Sequence, residues 1–159
     1  MIRETRHDDW RLLRDVRLRA LAEAPYTFLT TLEEASAHPD GHWRERAAPT
    51  ADRVTFVADA GERFDGLVAG FLDGDPTTVH LVSMWVAPEL RGSGIAAQLV
   101  ESVVDWARGR GAARVVLLVE AGNDRARRLY ERCGFSVPAE PPALPYEPHE
   151  GSTALVRAT

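Results

Sequence analysis

The sequence predicts a single α/β domain in which helices flank a mixed sheet, and three observations predict it. Residues 54–58 and 67–72 alternate as strands do and are separated by the turn-rich residues 59–66, so a hairpin is the simplest connection. Residues 79–119 read as strand, helix, strand, which demands a parallel pair with a right-handed crossover. With 159 residues, 45% hydrophobic and 27% charged, the chain suits one domain, residues 1–159, and leaves little room for a second.

A short strand at residues 2–5 comes first. A helix follows over residues 8–22, with Asp8 and Asp9 near its positive N-terminus, Leu13, Val16 and Ala20 on one face, and Pro25 to end it. Residues 31–48 form a weaker helical segment, interrupted around Pro39-Asp40-Gly41. After the hairpin, Asp73-Gly74-Asp75-Pro76 turns the chain into an apolar strand at 79–86. Ile95, Leu99, Val103 and Trp106 then recur at helical spacing, and Gly109 and Gly111 flank the end of that helix. Residues 114–119 are a Val/Leu-rich buried strand. A final amphipathic helix at 124–132 stops at Gly134, residues 138–148 carry five prolines and form a loop, and residues 153–157 make a closing strand.

The net charge is −5, and all 19 basic side chains are Arg. This balance argues against a nucleic-acid partner, and the absence of Lys removes Schiff-base and P-loop mechanisms. The single Cys, Cys133, cannot form an intrachain disulfide and lacks a clearly placed His partner as a nucleophile. No apolar run approaches the ~20 residues of a membrane span and no signal peptide opens the chain, so a soluble cytoplasmic protein, with no membrane partner, is expected.

Residues 91–96 read Arg91-Gly92-Ser93-Gly94-Ile95-Ala96, two glycines opening a helix that a strand precedes. Glycine lets backbone approach a ligand closely, and the unpaired N–H groups of a first helical turn carry roughly half a positive charge. Such a turn holds a diphosphate without a Lys. Gly92, Gly94 and Ala97 also satisfy a dinucleotide-binding fingerprint, with Glu120 as its ribose-binding acid. Residues 88–91 intervene between strand and glycines, however, and a hairpin precedes the unit, which counts against that reading.

The stretch Val86-Ala87-Pro88-Glu89-Leu90-Arg91-Gly92-Ser93-Gly94-Ile95-Ala96 resembles the acetyl-CoA-binding motif of the GNAT N-acetyltransferases, with Arg91, Gly94 and Ala96 at its defining positions. Residues 117–135 resemble that family's following strand and helix, through Asn123, Ala126, Leu129, Tyr130, Gly134 and Phe135. The resemblance implies a mostly antiparallel sheet with one parallel pair that splays to admit coenzyme A, the co-substrate being acetyl-CoA. It further implies that the amides of Gly92, Ser93, Gly94, Ile95 and Ala96 hold the pyrophosphate, while Met84, Trp85 and Val86 run alongside the pantetheine arm. Asn123, also a good N-cap, is expected to bond the pantetheine region. Arg128, within an Arg-rich turn that otherwise reads as a solvated face, is nominated for a cofactor phosphate.

By the same resemblance Tyr130 protonates departing coenzyme A, although a Tyr on such a helix also reads as core. A phenol near pKa ~10 donating to a thiolate of ~8.5 works uphill by about 2 kcal/mol, so Tyr130 assists without deciding. Neutralising an alkylamine at pH 7 costs about 4.6 kcal/mol, so a proton acceptor is needed. Glu120, His80, Ser83 through ordered water, Glu33 and Glu34 are its candidates. The resemblance puts the acceptor pocket between the early helices and the last loop, with Tyr26, Phe28 and residues 138–148 as walls. The expected function is acetyl transfer from acetyl-CoA to a primary amine by direct attack, on a small molecule or a peptide, by a monomer or homodimer without a metal. The rival is a catalytically inactive acyl-CoA-binding sensor.

Overall fold

The computed structural model describes residues 1–25 and 28–159. Strands β1 (Ile2–Glu4), β2 (Arg53–Asp59), β3 (Phe64–Leu72), β4 (Thr78–Val86), β5 (Arg114–Val119) and β6 (Thr153–Ala158) lie side by side in chain order. Every neighbouring pair is antiparallel except β4 and β5. Helices α1 (Trp10–Glu23), α2 (Leu32–Ser36), α3 (Asp40–Ala47), α4 (Ile95–Gly109) and α5 (Asp124–Arg132) cover the sheet. The expected α/β domain with a mixed, mostly antiparallel sheet is observed.

Two apolar clusters hold these layers. Leu99, Val100, Val103 and Val104 of α4 meet Val68, Val79, Leu81 and Val115, while Leu13, Val16 and Leu21 of α1 meet Trp43, Val57, Phe64 and Leu67. Adjacent Leu67 and Val68 go to opposite clusters, the period of two that a strand buried on both faces requires. A Cβ at Gly70 would stand 2.9 Å from Val103 Cγ1, so the missing side chain is what lets α4 sit this close to β3. Gly70→Ala is expected to cost about 1–3 kcal/mol by overpacking. A urea denaturation midpoint equal to that of the parent chain would contradict this.

The crossover unit determines where a ligand fits. β4 and β5 pair only at Thr78–Arg114, Val79–Val115 and His80–Val116, after which they part. The cause lies in β4: between Leu67↔Trp85 and Ala69↔Val82 the register advances two residues on β3 and three on β4. The extra residue makes a bulge, which bends its strand and breaks the ladder. Ser83 sits there at φ 60, the one non-glycine residue with positive φ among the described residues. That conformation costs roughly 1–3 kcal/mol and persists because the surrounding sheet enforces it.

Candidate active site

Past the bulge β4 ends at Val86, and a 3-10 turn at Pro88–Leu90 leads into the glycine segment. Gly92 and Gly94 take φ +84 and +90, where a Cβ is disfavoured, and a Cβ at either would meet nothing within 4 Å. The first backbone bond of α4 is Gln98 N–H to the Gly94 carbonyl, and no side chain caps the helix. The amides of Gly92, Gly94, Ile95, Ala96 and Ala97 therefore have no acceptor among the described residues. Ser93 differs: its N–H and hydroxyl both donate to the Leu90 carbonyl, which tightens the turn.

The loop is tied to α1 through a residue that local sequence pattern did not nominate. The Glu23 carboxylate accepts from Trp85 Nε1 at 2.9 Å and from Arg91 Nη2 at 2.8 Å, and Arg91 Nε donates to the Val86 carbonyl at 3.2 Å. Trp85 and Val86 are buried, and neither they nor Arg91 lines the cavity described below. The Trp85 and Arg91 side chains and the Val86 carbonyl brace the loop. Arg91 and then Trp85 hold the Glu23 carboxyl below the usual carboxylate range. Its contribution to stability is thus present above pH 4.5 and fades as the pH falls through the lowered value. Glu23→Gln is expected to weaken coenzyme A binding about fivefold, the equivalent of about 1 kcal/mol for a partly exposed pair. Calorimetry giving an unaltered Kd would remove this brace.

A cavity of about 400 Å³ opens where β4 and β5 part. Ser83, Met84, Glu120, Asn123 and Tyr130 line one end. Asn123 caps α5, its Oδ1 accepting from Ala126 N–H at 3.2 Å, which leaves the Nδ2 hydrogens for the cavity. At the other end of α5, Phe135 N–H donates to the Tyr130 carbonyl and Gly134, at φ +89, donates to Glu131. This Schellman closure sets the Phe135 ring edge-on to Tyr130 at 6.0 Å and so fixes the phenol. Burial pushes the Tyr130 phenol above its ordinary pKa.

The remaining candidates divide. Glu120 Oε1 lies 2.8 Å from His149 Nδ1, a partner contributed by the Pro-rich loop. His80 is buried between Phe71 and Tyr146, off the cavity wall, with Nδ1 unpartnered and its pKa lowered by burial. Glu33 and Glu34 are exposed on α2, away from the cavity. Phe28 and Tyr146 line the cavity, whereas Tyr26 lies outside the described residues. Arg128 is exposed on α5, and Cys133 is half-buried off the cavity wall. Among the described residues no group of His, Cys, Asp or Glu is placed to hold a metal ion, and no helix is long and apolar enough to cross a membrane.

Residues 16–135 match the family model of the acetyltransferase (GNAT) family. The chain belongs to that family. The GNAT domain is 36% identical over 84 residues to N-alpha-acetyltransferase 30 of Schizosaccharomyces pombe, covering 51% of this chain and 56% of that one. It is 32% identical over 147 residues to the L-methionine sulfoximine/L-methionine sulfone acetyltransferase of Pseudomonas paraeruginosa, covering 81% and 84%. The chain spans about half the length of several other curated relatives it matches. In fold it is similar to the PaiA N-acetyltransferase of Thermoplasma acidophilum solved with coenzyme A, with a TM-score of 0.72 at 14% identity over 100% of this chain and 98% of that one.

Proposed function

We propose that this GNAT domain transfers the acetyl group of acetyl-CoA to a primary amine by direct attack. The row of unpaired amides at Gly92 and from Gly94 to Ala97 carries the reading. These donors, backed by the positive end of α4 and unobstructed by a Cβ, suit a pyrophosphate. β4 and β5 part beyond His80 and Val116, with Met84, Val119 and Tyr130 on the cavity wall and β4 leading on to that turn, an arrangement that suits a pantetheine arm laid between the strands. The residues present therefore fit coenzyme A, and the T. acidophilum relative was solved with that ligand.

Acetyl-CoA, when bound, supplies an activated acyl group as a thioester. The chain's own residues supply position and protons. The loop amides and Asn123 Nδ2 fix the donor, with Met84 of β4 and Val119 of β5 on either side, so most of the rate comes from orientation. Glu120 accepts the amine proton, being the one carboxylate among the described residues on the cavity wall, and His149 holds it in place. Ser83 lies on the same wall, where it orders water. As the C–N bond forms and the C–S bond breaks, Tyr130 donates its hydroxyl proton to the departing thiolate. Burial keeps that proton on the phenol and makes its donation costlier than from a free phenol, so Tyr130 assists as charge develops on the departing thiolate without driving the step.

The acceptor is an amine on a small molecule or a peptide. Relatives are named for an N-alpha position in one case and for methionine sulfoximine and methionine sulfone in another. A thiol-release assay over a panel of amines tests the reading: release of coenzyme A that depends on acceptor is expected. Saturable coenzyme A binding with no acceptor-dependent release would replace it with an acyl-CoA sensor.

A further inference from the structure

The end of the cavity away from Tyr130 carries charge without a partner among the described residues. Arg17 of α1, Arg46 of α3 and Arg53 of β2 line it together with His38 and His42. Against them the described part of the wall offers one carboxylate, Glu120, at the opposite end. Arg17 Nη1 and Arg53 Nε are buried and donate to nothing among the described residues. The Arg17 guanidinium lies 4.5 Å from the Phe28 ring centroid and that of Arg53 lies 6.0 Å from Phe71, aromatic faces that shelter a cation without accepting its full set of N–H bonds.

A buried guanidinium that serves the fold is normally paired, because an unpaired one loses its hydration for nothing. Here two part-buried guanidiniums, one from a helix and one from a strand, meet in one cavity. Burial first, and then the charge of Arg46, pulls both down to about 10, so both remain cationic at neutral pH. His42 is driven toward its neutral form by burial first, then by His38, Arg46 and Arg53.

We propose that Arg17 and Arg53, with Arg46 at the rim, form an anion subsite that takes a carboxylate of the acceptor, so the preferred substrates are amines that carry a carboxylate, amino acids being the simplest class. The proposal rests on the acetyltransferase reading for what the acceptor undergoes, though not for the subsite itself. Guanidinium forks match carboxylates bidentately, and both oxygens would satisfy donors that are otherwise left bare. The carboxylate thereby sets which end of the acceptor points toward Glu120 and Tyr130.

The test uses the whole chain, the common L-amino acids and their C-terminal amides. One arm measures thiol release from acetyl-CoA, and the other measures the heat of binding of the N-acetylated acids and N-acetylated amides. At least tenfold preference for acid over amide is expected in kcat/KM and in Kd for the favoured side chain, falling to about twofold in Arg17→Gln and in Arg53→Gln, as loss of a charged partner implies. The amides have the less basic amines, so their chemistry works against the expected result. Equal use and binding of acids and amides, silence in both arms, or a preference that survives in both variants overturns the proposal. So does a preference for succinyl-CoA over acetyl-CoA that the variants abolish, since the carboxylate would then belong to the acyl group. Acid preference in heat without thiol release sinks the transferase reading and leaves the subsite standing, and thiol release without acid preference does the reverse. Both variants are expected to keep or raise the thermal midpoint, and a clear fall would assign these guanidiniums to the fold instead.

Discussion

Gly94→Val is expected to weaken coenzyme A binding by about 100-fold or more while leaving the chain folded. The residue sits at φ +90, which a β-branched side chain occupies only at a cost of roughly 1–3 kcal/mol. Among the described residues nothing beyond the chain neighbours lies within 4 Å of the added Cβ, so the core does not resist the change. What suffers is the ligand. The valine either twists the amides of Ile95 and Ala96 off their common target or stands where a phosphate oxygen must come, and losing two charge-assisted hydrogen bonds costs about 3 kcal/mol or more. Calorimetry with coenzyme A, beside a thermal melt, separates this from unfolding. A Kd within threefold of the parent value would remove the loop from the binding site.

Tyr130→Phe is expected to lower turnover by roughly 10²-fold to 10⁴-fold, the usual range for a positioned acid, with little change in coenzyme A affinity. Tyr130 lines the cavity end that also holds Ser83 and Asn123 and its ring rests on Phe135, so phenylalanine keeps the packing and removes the proton. Because burial raises the phenol, its ionisation in the free chain comes first and stability falls as pH rises above 10. The acid therefore persists through neutral and moderately alkaline pH. Near-normal turnover with every acyl donor and acceptor would reject the role.

Elements whose ends carry their own stop signals were legible in the sequence. β5 begins after Gly111 and runs from Arg114 to Val119, and α5 is bounded by the Asn123 cap and the Gly134 closure, as local chemistry dictates. The hairpin was less so. β3 begins at Phe64, where Asp65-Gly66 reads as turn, because a Cβ at Gly66 would meet the Trp85 carbonyl at 3.2 Å and Leu99 Cδ1 at 3.3 Å. Tertiary approach, which periodicity does not register, makes that glycine a strand residue. The bulge at Ser83 left no turn residue to mark it.

The candidate site divides in the same way. Its backbone part was nominated as Gly92 to Ala96 because glycines at a helix start have a local meaning, and of these the Ser93 amide is the one that the fold pairs, with the Leu90 carbonyl. Its side-chain partnerships were not. Glu23 braces Trp85 and Arg91 from more than sixty residues away, and His149 reaches Glu120 from the Pro-rich loop. Arg17, Arg46 and Arg53 look like ordinary surface charges on α1, α3 and β2 until the fold brings them to one cavity and denies them a carboxylate.

Amide chemical shifts followed as coenzyme A is added to 15N-labelled protein show directly whether the loop amides hold the pyrophosphate. The N–H resonances of Gly92, Gly94, Ile95, Ala96 and Ala97 are expected to make the largest downfield moves in the spectrum, and pantetheine, which lacks the pyrophosphate, is expected to leave them nearly still. Saturating coenzyme A with these five amides unmoved, or equal shifts from pantetheine, would contradict it.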